Sequence, residues 1–337
     1  MVLSQDEFSL INAHQRDFPL APRPYAELGA KHGIGEMEVI STYRDMVASG
    51  ALSRIGVVFR PNTVGASTLA AMAVPEARLE EVAHTVSSQS EVNHNYQREH
   101  RLNLWFVVAG SSPACVESAI VTIERDTGFK VLRLPLLEEF HIDLGFDLAD
   151  GSVPRNACST PAAPTTRLEL NTRERALVAA LDAGIPLCGN PYAALGRQCD
   201  MSEAEVIRHL GEWVKAGVVR RIGTVVRHRP LGFRANAMVV WNVPDAEVST
   251  LGRRAAADPA VTLCYRRPRA GEAWPYNLFC MFHGRERDAV RDSVRRVAIE
   301  TGLDQYPSDI LFSTRCFTQR GARYAESAPL QSMKAAS

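Results

Sequence analysis

Four side chains that could bind a carboxylate and deliver a proton stand two residues apart in residues 91–106, EVNHNYQREHRLNLWF. Side chains alternate between the two faces of an extended strand, so His94, Tyr96, Arg98 and His100 would share one face. Arginine binds carboxylates through paired hydrogen bonds, and histidine exchanges protons near neutral pH. The pattern therefore indicates a site where protons meet carboxylates.

Two other interpretations of this segment compete with the first. The intervening positions Asn93, Asn95, Gln97 and Glu99 are polar too, which fits a solvated strand edge. A strand that is polar on both faces gains little packing energy, however, so contacts with a ligand or an interface help to explain it. A metal site would use the two histidines, but no third ligand is marked in the sequence, and we predict none.

Further polar residues could extend the site. RIGVVFR supplies Arg54 and Arg60, RRIGTVVRHR includes Arg227 and His228, and Asn103 lies near the turn that follows the first segment. The basic residues could reach the carboxylates of a polyanionic ligand, or they could form a basic wing that contacts DNA phosphate. Spacing alone favours neither.

The elements that position these residues form a tandem repeat. Residues 24–60 align without gaps onto residues 191–227, and NYQREHRLNLWF returns as CYRRPRAGEAWPYNLFC with a short insertion. Repeats of this length indicate duplicated structural units. The sequence therefore contains its own internal comparison.

The second copy keeps the groups that could bind anions but not the first copy's imidazoles. Tyr265 and Arg267 stand where the first copy has Tyr96 and Arg98, with Arg266 between them, but Leu263 replaces the first histidine and nothing matches the second. We therefore expect anion binding in both halves and proton transfer in the first. His84, His209 and His283, which lie singly at helix or strand positions, are interpreted as structural.

Each half is predicted to be α+β, with a helix-turn-helix unit followed by a ferredoxin-like βαββαβ sandwich. Apolar residues recur at three- and four-residue steps in the first part of each half, and strand-like alternation follows. The predicted boundaries are helix-turn-helix 1–60, ferredoxin-like domain 61–148, linker 149–168, helix-turn-helix 169–228, ferredoxin-like domain 229–326 and tail 327–337.

Composition limits the classes of partner. The 337 residues carry 38 basic and 38 acidic side chains, so there is no overall attraction to nucleic acid or to an anionic membrane. No apolar run approaches the roughly 20 residues of a transmembrane helix. No secretory signal is visible and the seven cysteines are scattered, which predicts a reduced, cytoplasmic protein. Both third helices contain three acids, which disfavours DNA binding.

The order of elements resembles the Lrp/AsnC family of regulators. More specifically, HNYQREHRLNLWF and FHIDLGFDL resemble one subunit type of the sirohaem decarboxylases, and RRIGTVVRHRPLGFRANAMVVW, CYRRP, WPYNLFCMFHGR and LFSTRCFTQRGARY resemble the other. The resemblance spans nearly the whole chain. It implies a fused pair of subunits, associated with haem d1 biosynthesis, whose halves form an internal pseudo-dimer.

The resemblance implies loss of two acetate carboxyl groups from sirohaem, giving 12,18-didecarboxysirohaem, without a cofactor beyond the iron-bearing substrate. It makes His94 and His100 the candidate proton donors. The carboxylates would be held by the polar and basic residues named above, which are Tyr96, Arg98, Arg54, Arg60, Asn103, Tyr265, Arg266, Arg267, Arg227 and His228.

Several alternatives stay open at this point. The second half could be a scaffold, a regulatory haem site or a second binding site without acids. The whole chain could instead be a DNA-binding regulator that senses haem or a small ligand. It could also be a silent haem-binding partner of other decarboxylase subunits, and further association of copies is open.

Overall fold

A computed structural model describes residues 4–142, 145, 148, 167–227 and 229–324. The predicted site residue His228, most of the predicted linker and the predicted tail 327–337 lie outside the described residues. No helix within the described residues is long and apolar enough to cross a bilayer.

Each half begins with three short helices, as its apolar spacing predicts. They are α1 Gln5–Ala13, α2 Pro24–His32 and α3 Glu36–Ala48 in the first half, and α6 Thr172–Ala180, α7 Pro191–Cys199 and α8 Glu203–Lys215 in the second. Helix α8 starts at a reciprocal cap. The Ser202 side chain accepts from the Glu205 amide at 3.2 Å, and the Glu205 carboxylate accepts from the Ser202 amide at 2.7 Å.

The two helical units are joined by a pair of antiparallel strands. Strand β1 (Leu52–Phe59) pairs with β7 (Val219–Val226), and Gly56 faces Gly223 at the middle of the register. A Cβ atom on Gly223 would lie 2.4 Å from the backbone oxygens of residues 14 and 15, so only glycine fits there. Apolar side chains from both helical units then form one shared core.

The remaining elements build two ferredoxin-like units. The first contains β2 Ala66–Met72, α4 Leu79–Ser88, β3 Val92–Arg98, β4 Leu104–Gly110, α5 Pro113–Thr127, β5 Leu132–Pro135 and β6 Glu138–Ile142. The second contains β8 Ala235–Trp241, α9 Val248–Ala256, β9 Leu263–Arg266, β10 Leu278–Gly284, α10 Arg287–Thr301 and β11 Ser308–Gln319. The strand order is β5-β2-β4-β3-β11-β8-β10-β9-β6.

The last strands cross between the halves. In β11, residues 308–312 pair with β8 of their own half, and residues 313–319 pair with β3 of the first half. In return, β6 of the first half pairs with β9 of the second. This exchange makes the two halves an internal pseudo-dimer, in agreement with the expectation.

Alternation along each strand separates three apolar clusters. In β2, Ala70 and Met72 pack under the helices of the first half, whereas Leu69 and Ala71 join a cluster that contains residues of both halves. The latter cluster, with Trp105, Met238 and Phe279, lies between the inner faces of the two sheets. A third cluster lies under the helices of the second half.

Candidate active site

A cavity of about 210 Å³, here called the central cavity, lies between the inner faces of the two sheets. Its polar lining comes from both halves. Strand β3 supplies His94, Tyr96 and Arg98, and the second half supplies Arg229, Asn236, Tyr265, His283, Ser313 and Gln319. Its apolar lining includes Leu69, Val107, Met238, Leu263 and Met281. The structure thus brings together three of the four residues predicted from alternation.

The polar residues between them are explained by the opposite face of β3. Asn95 is fully buried, and its amide donates to the Ala83 carbonyl and to the Ser87 hydroxyl of α4, both at 3.0 Å. A register shift between Val92 and His94 accommodates Asn93 as a bulge. The Asn95 side chain therefore links β3 to helix α4 by hydrogen bonds and does not point into the central cavity.

The prediction that His100 shares this face is wrong, because β3 ends at Arg98. The Arg98 amide donates to the Asn103 carbonyl at 2.8 Å, which closes a turn. In this turn His100 Nδ1 accepts from the Leu102 amide at 2.9 Å, and its Nε2 lies 3.7 Å from the Asp309 carboxylate. His100 is not among the residues that line the central cavity.

Asn103 holds a loop in place. Its side chain donates to the Val74 carbonyl at 2.8 Å and accepts from the Val74 amide at 3.0 Å. Asn277 in the second half makes the same pair of bonds with Val243, at 2.9 and 3.0 Å. The repetition of this arrangement argues for a structural role at both positions.

The Tyr–Arg pairs of the two halves are built alike. Arg98 lies 5.8 Å from the Tyr96 ring centre and donates from Nη1 to the Leu311 carbonyl at 3.0 Å. Arg267 lies 4.6 Å from the Tyr265 ring centre and donates to the Leu134 carbonyl. Arg98 thus binds β11 of the second half, and Arg267 binds β5 of the first half, but only Arg98 lines the central cavity.

The central cavity is electropositive and has no carboxylate of its own among the described residues. Burial, with a smaller contribution from Arg229, lowers the pKa of Arg98 to about 10, so its guanidinium stays charged at neutral pH. Arg229 donates to the carbonyl and the hydroxyl of Ser313 at 2.9 and 3.0 Å. Within the described residues, Nε of both arginines and Oδ1 of Asn236 are buried without a hydrogen-bond partner. Such a lining suits an anionic ligand with an apolar body.

The Tyr–Arg pair of the second half has a carboxylate beside it, which β6 of the first half supplies. Glu139 faces Tyr265 in the β6–β9 register, and Cys316 faces Tyr96 in the β11–β3 register. Glu139 accepts from Arg220 and lies 3.8 Å from Arg60. Cys316 also shares a hydrogen bond with the Tyr96 hydroxyl. Burial raises the pKa of its thiol, although the charges of Arg229 and Arg227 oppose this shift. A neutral side chain therefore stands beside the cations of the central cavity.

His94 forms a wall between the central cavity and a second one. The second space, here called the lateral cavity, measures about 250 Å³, and His94 and Gln319 line both cavities. Burial, followed by repulsion from Arg54, lowers the pKa of His94 to about 4. Its ring stacks near Tyr96 with centres 6.2 Å apart. The imidazole of the free protein is therefore neutral at pH 7.

The other predicted site residues lie elsewhere. Arg54 lines the lateral cavity, and Arg60 is held near Glu139. Arg266 is paired with Asp245 at 2.9 Å. The structure does not bring six of the predicted residues to the lining of either cavity: Arg60, His100, Asn103, Arg227, Arg266 and Arg267.

Sequence reasoning did not place His283 or Asn236 in the site, whereas Arg229 belongs to the basic segment RRIGTVVRHR that it singled out. His283 was interpreted as a structural residue, and the structure places it in the lining of the central cavity. Its Nδ1 lies 2.8 Å from the Thr262 hydroxyl, and burial followed by repulsion from Arg98 lowers its pKa to about 4. Alternation in LFCMFHG, with Met281 and His283 on one face, was the available signal.

Comparison with known families agrees with this architecture. The AsnC-like ligand binding domain matches residues 64–141 and 230–318, and the siroheme decarboxylase NirDL-like HTH domain matches residues 7–52 and 174–220. The siroheme decarboxylase NirDL subunit of Paracoccus denitrificans (strain Pd 1222) is 43% identical over 97% of this chain and 99% of its own length. The chain belongs to the sirohaem decarboxylase family.

Other relatives support this family assignment. The siroheme decarboxylase of Hydrogenobacter thermophilus is 31% identical over 92% of both chains. A crystal structure of the siroheme decarboxylase NirDL, 27% identical, matches with a TM-score of 0.68 over 95% of this chain and 94% of that one. The same enzyme has been crystallised with an iron-uroporphyrin III analogue, and that structure matches with a TM-score of 0.66. The predicted fold class is confirmed, and family membership makes the chain a carboxy-lyase. A DNA-binding regulator is not favoured.

Proposed function

We propose that this chain removes the carboxyl groups of two acetate side chains of sirohaem and produces 12,18-didecarboxysirohaem. The observation that carries the proposal is the central cavity, where Arg98 and Arg229 have no carboxylate partner among the described residues. A buried cation is costly unless it is paired, and the substrate brings carboxylates that can pair with it. Relatives that bear the decarboxylase name cover nearly the whole chain.

The volume of the central cavity limits what enters it. About 210 Å³ is below the roughly 300–1,000 Å³ of typical small-molecule sites. We place in it the edge of the macrocycle that carries the reacting acetate. The apolar side chains Leu69, Val107, Met238 and Met281 would contact the ring, and Arg98 would bind the carboxylate.

The reaction requires an electron sink and a proton. When the bond between the acetate methylene and its carboxyl carbon breaks, CO₂ leaves and the electron pair is delocalised into the macrocycle. A proton delivered to the methylene carbon then completes a methyl group. The macrocycle supplies the electron sink, and the protein supplies the proton at a position from which water is largely excluded.

His94 is our candidate for the proton donor. Its pKa of about 4 means that the ring is neutral at pH 7 in the free protein and lacks the second ring proton that it would donate. Carboxylates bound beside it favour the imidazolium, so its pKa rises when the substrate arrives and the proton is taken up with the ligand. General acid catalysis of this kind contributes typically about 10²–10⁴ in rate.

His283 has a different part in the proposal. Its Nδ1 lies 2.8 Å from Thr262 Oγ1, and Thr262 Oγ1 can in turn donate to the Met281 carbonyl at 3.1 Å. These bonds fix the orientation of the ring beside Arg98. We assign His283 to orienting the carboxylate, since a fixed ring suits positioning.

Anaerobic incubation of the purified chain with sirohaem tests the function. We expect a product that is two carboxyl groups lighter, with mono-decarboxylated sirohaem as an intermediate, in the absence of any other subunit. Sirohaem that binds but stays intact would mean that the chain acts only as a binding partner. Sirohaem that neither binds nor reacts would contradict the proposal altogether.

A further inference from the structure

The lateral cavity places a second acidic group opposite the proposed proton donor. Asp182 and His94 both line this space of about 250 Å³, together with Arg54, Arg320 and Tyr324. A cavity needs only about 10–15 Å³ to hold one water molecule, so this one has room for a chain of waters between polar walls. A proton could therefore pass from Asp182 to His94 without crossing the central cavity.

The local fold holds Asp182 in the lining of the lateral cavity. It lies in a 3₁₀ turn, Leu181–Ala183, whose apolar neighbours Leu181 and Ile185 are buried. Gly184 follows with φ of 97°, and a Cβ atom there would lie 2.6 Å from the Ile55 carbonyl of β1. The Ile185 amide donates to that same carbonyl at 2.8 Å. The turn is thus fastened to β1, the strand that carries Arg54.

The charges around Asp182 are mostly positive, yet burial decides its protonation. The groups that face it are Arg54 from β1, His94 from β3, Arg220 and Arg221 from β7, and Arg320, Arg323 and Tyr324 from the C-terminal segment. Burial raises the pKa of Asp182 to about 7, although Arg323 and Arg54 oppose the shift. The carboxyl group therefore keeps its proton to much higher pH than an exposed aspartate does.

We propose that Asp182 reloads His94 with protons through the lateral cavity, so that one site can remove two carboxyl groups in succession. Asp182 acts through His94 and touches no reacting atom. This inference rests on the proposed decarboxylation, because it concerns the protons that the reaction consumes.

The proton balance explains why such a group is needed. Each acetate loses CO₂, and its methylene carbon takes the proton from His94, which is left neutral. His94 then takes a proton, passed through water, from the Asp182 carboxyl group, and the resulting Asp182 carboxylate regains one from solvent. One proton is consumed for each CO₂ released, and no oxidant or reductant takes part.

The test compares Asp182→Asn with the wild-type chain in single-turnover reactions with sirohaem. We expect the first CO₂ to be lost at nearly the normal rate, because His94 is loaded when the substrate binds. The second loss should be slower by about 10- to 100-fold, so that mono-decarboxylated sirohaem accumulates. In steady-state reactions we expect wild-type kcat to fall above about pH 7 as Asp182 loses its proton, and we expect Asp182→Asn to lack this fall and to keep the wild-type KM.

Two further variants separate proton supply from structure. Asp182→Glu keeps a carboxyl group and should recover most of the second step, and small acids such as formic or acetic acid should speed it in Asp182→Asn. Asp45→Asn makes the same change at an exposed position of α3 and should behave as wild type.

The pH dependence of the unfolding free energy tests the protonation of Asp182 independently of the reaction. Between pH 3.8 and about 7 the folded state holds the Asp182 proton more tightly, so this group lowers stability as pH rises, and Asp182→Asn should remove that slope.

The outcomes are distinguishable. An Asp182→Asn chain that loses both carboxyl groups at wild-type rates, with an unchanged pH profile, would overturn the inference while leaving the decarboxylase function intact. Equal slowing of both steps in Asp182→Asn and Asp182→Glu, without rescue by small acids, would also overturn it and would assign Asp182 a structural role. A wild-type chain that releases no CO₂ would instead contradict the proposed function itself.

Discussion

Arg98 donates from Nη1 to the carbonyl of Leu311, 3.0 Å away, and so joins β3 of the first half to β11 of the second. The bond lies where β11 leaves its own sheet and begins to pair with β3. Arg98 is therefore both a structural link between the halves and the principal cation of the central cavity. Its counterpart Arg267 makes the same kind of link to Leu134 without lining that cavity.

Arg98→Gln and Arg267→Gln form a matched pair of variants. Both lose a buried hydrogen bond from a charged group, which typically contributes about 1.5–3 kcal/mol, so both should unfold at lower denaturant concentration. Only Arg98→Gln should also weaken the binding of sirohaem, by about tenfold or more, because Arg98 lines the central cavity and Arg267 does not. Equal affinities for the two variants, measured by absorbance titration, would argue against Arg98 as the carboxylate anchor.

Cys316→Glu should block the site by supplying the carboxylate that it lacks. Glu139, from β6 of the first half, faces Tyr265 as Cys316 faces Tyr96, and it accepts a hydrogen bond from Arg220. A glutamate at position 316, beside Tyr96 and Arg229, would pair with the cations that otherwise bind substrate. We expect KM to rise at least about tenfold in Cys316→Glu but much less in the uncharged Cys316→Gln. Similar KM values for the two variants would show that charge is not what matters there.

The protonation of His94 can be followed directly by NMR with labelled histidine. In the free protein the His94 resonance should titrate with a pKa of about 4, well below 6.5, because burial and Arg54 disfavour the imidazolium. The folded state then binds fewer protons than the unfolded chain in this range, so stability should fall as pH decreases from about 6.5 to 4. Binding of an anionic tetrapyrrole should move this pKa upward. A value that stays near 4 in the complex would remove His94 as the proton donor.

Asn103 and Asn277 offer a test of structural against substrate-binding roles. Each holds the backbone of a loop residue, Val74 or Val243, through two hydrogen bonds. Replacing either with alanine should reduce the free energy of unfolding by about 1–3 kcal/mol, since buried backbone groups lose their partners. KM for sirohaem should be unchanged in both. A selective rise of KM in Asn103→Ala would instead support the contact with substrate predicted from the sequence.

The sequence predicted the architecture well because the repeat and the strand alternation are local signals. His94, Tyr96 and Arg98 meet in one cavity because they lie on one face of β3. His100 fails the same argument only because the strand ends two residues earlier, and the position of a turn depends on bonds such as Arg98 to Asn103.

The contribution of the second half could not be derived in this way. His283, Asn236 and Arg229 come to the central cavity because the two sheets face each other and exchange their last strands. At the matching positions the second half has Leu263 in place of His94 and no counterpart of His100. The second imidazole lies on a different strand, β10, so a non-equivalent position supplies it.

The most direct test of the account is an anaerobic single-turnover reaction of His94→Ala with sirohaem, with His84→Ala as a control at an exposed position of α4. Binding is followed by absorbance and products by mass. We predict that both variants bind sirohaem, that His84→Ala forms the doubly decarboxylated product at the wild-type rate, and that His94→Ala is slower by about 10²–10⁴. Wild-type rates of CO₂ loss in His94→Ala would contradict the account.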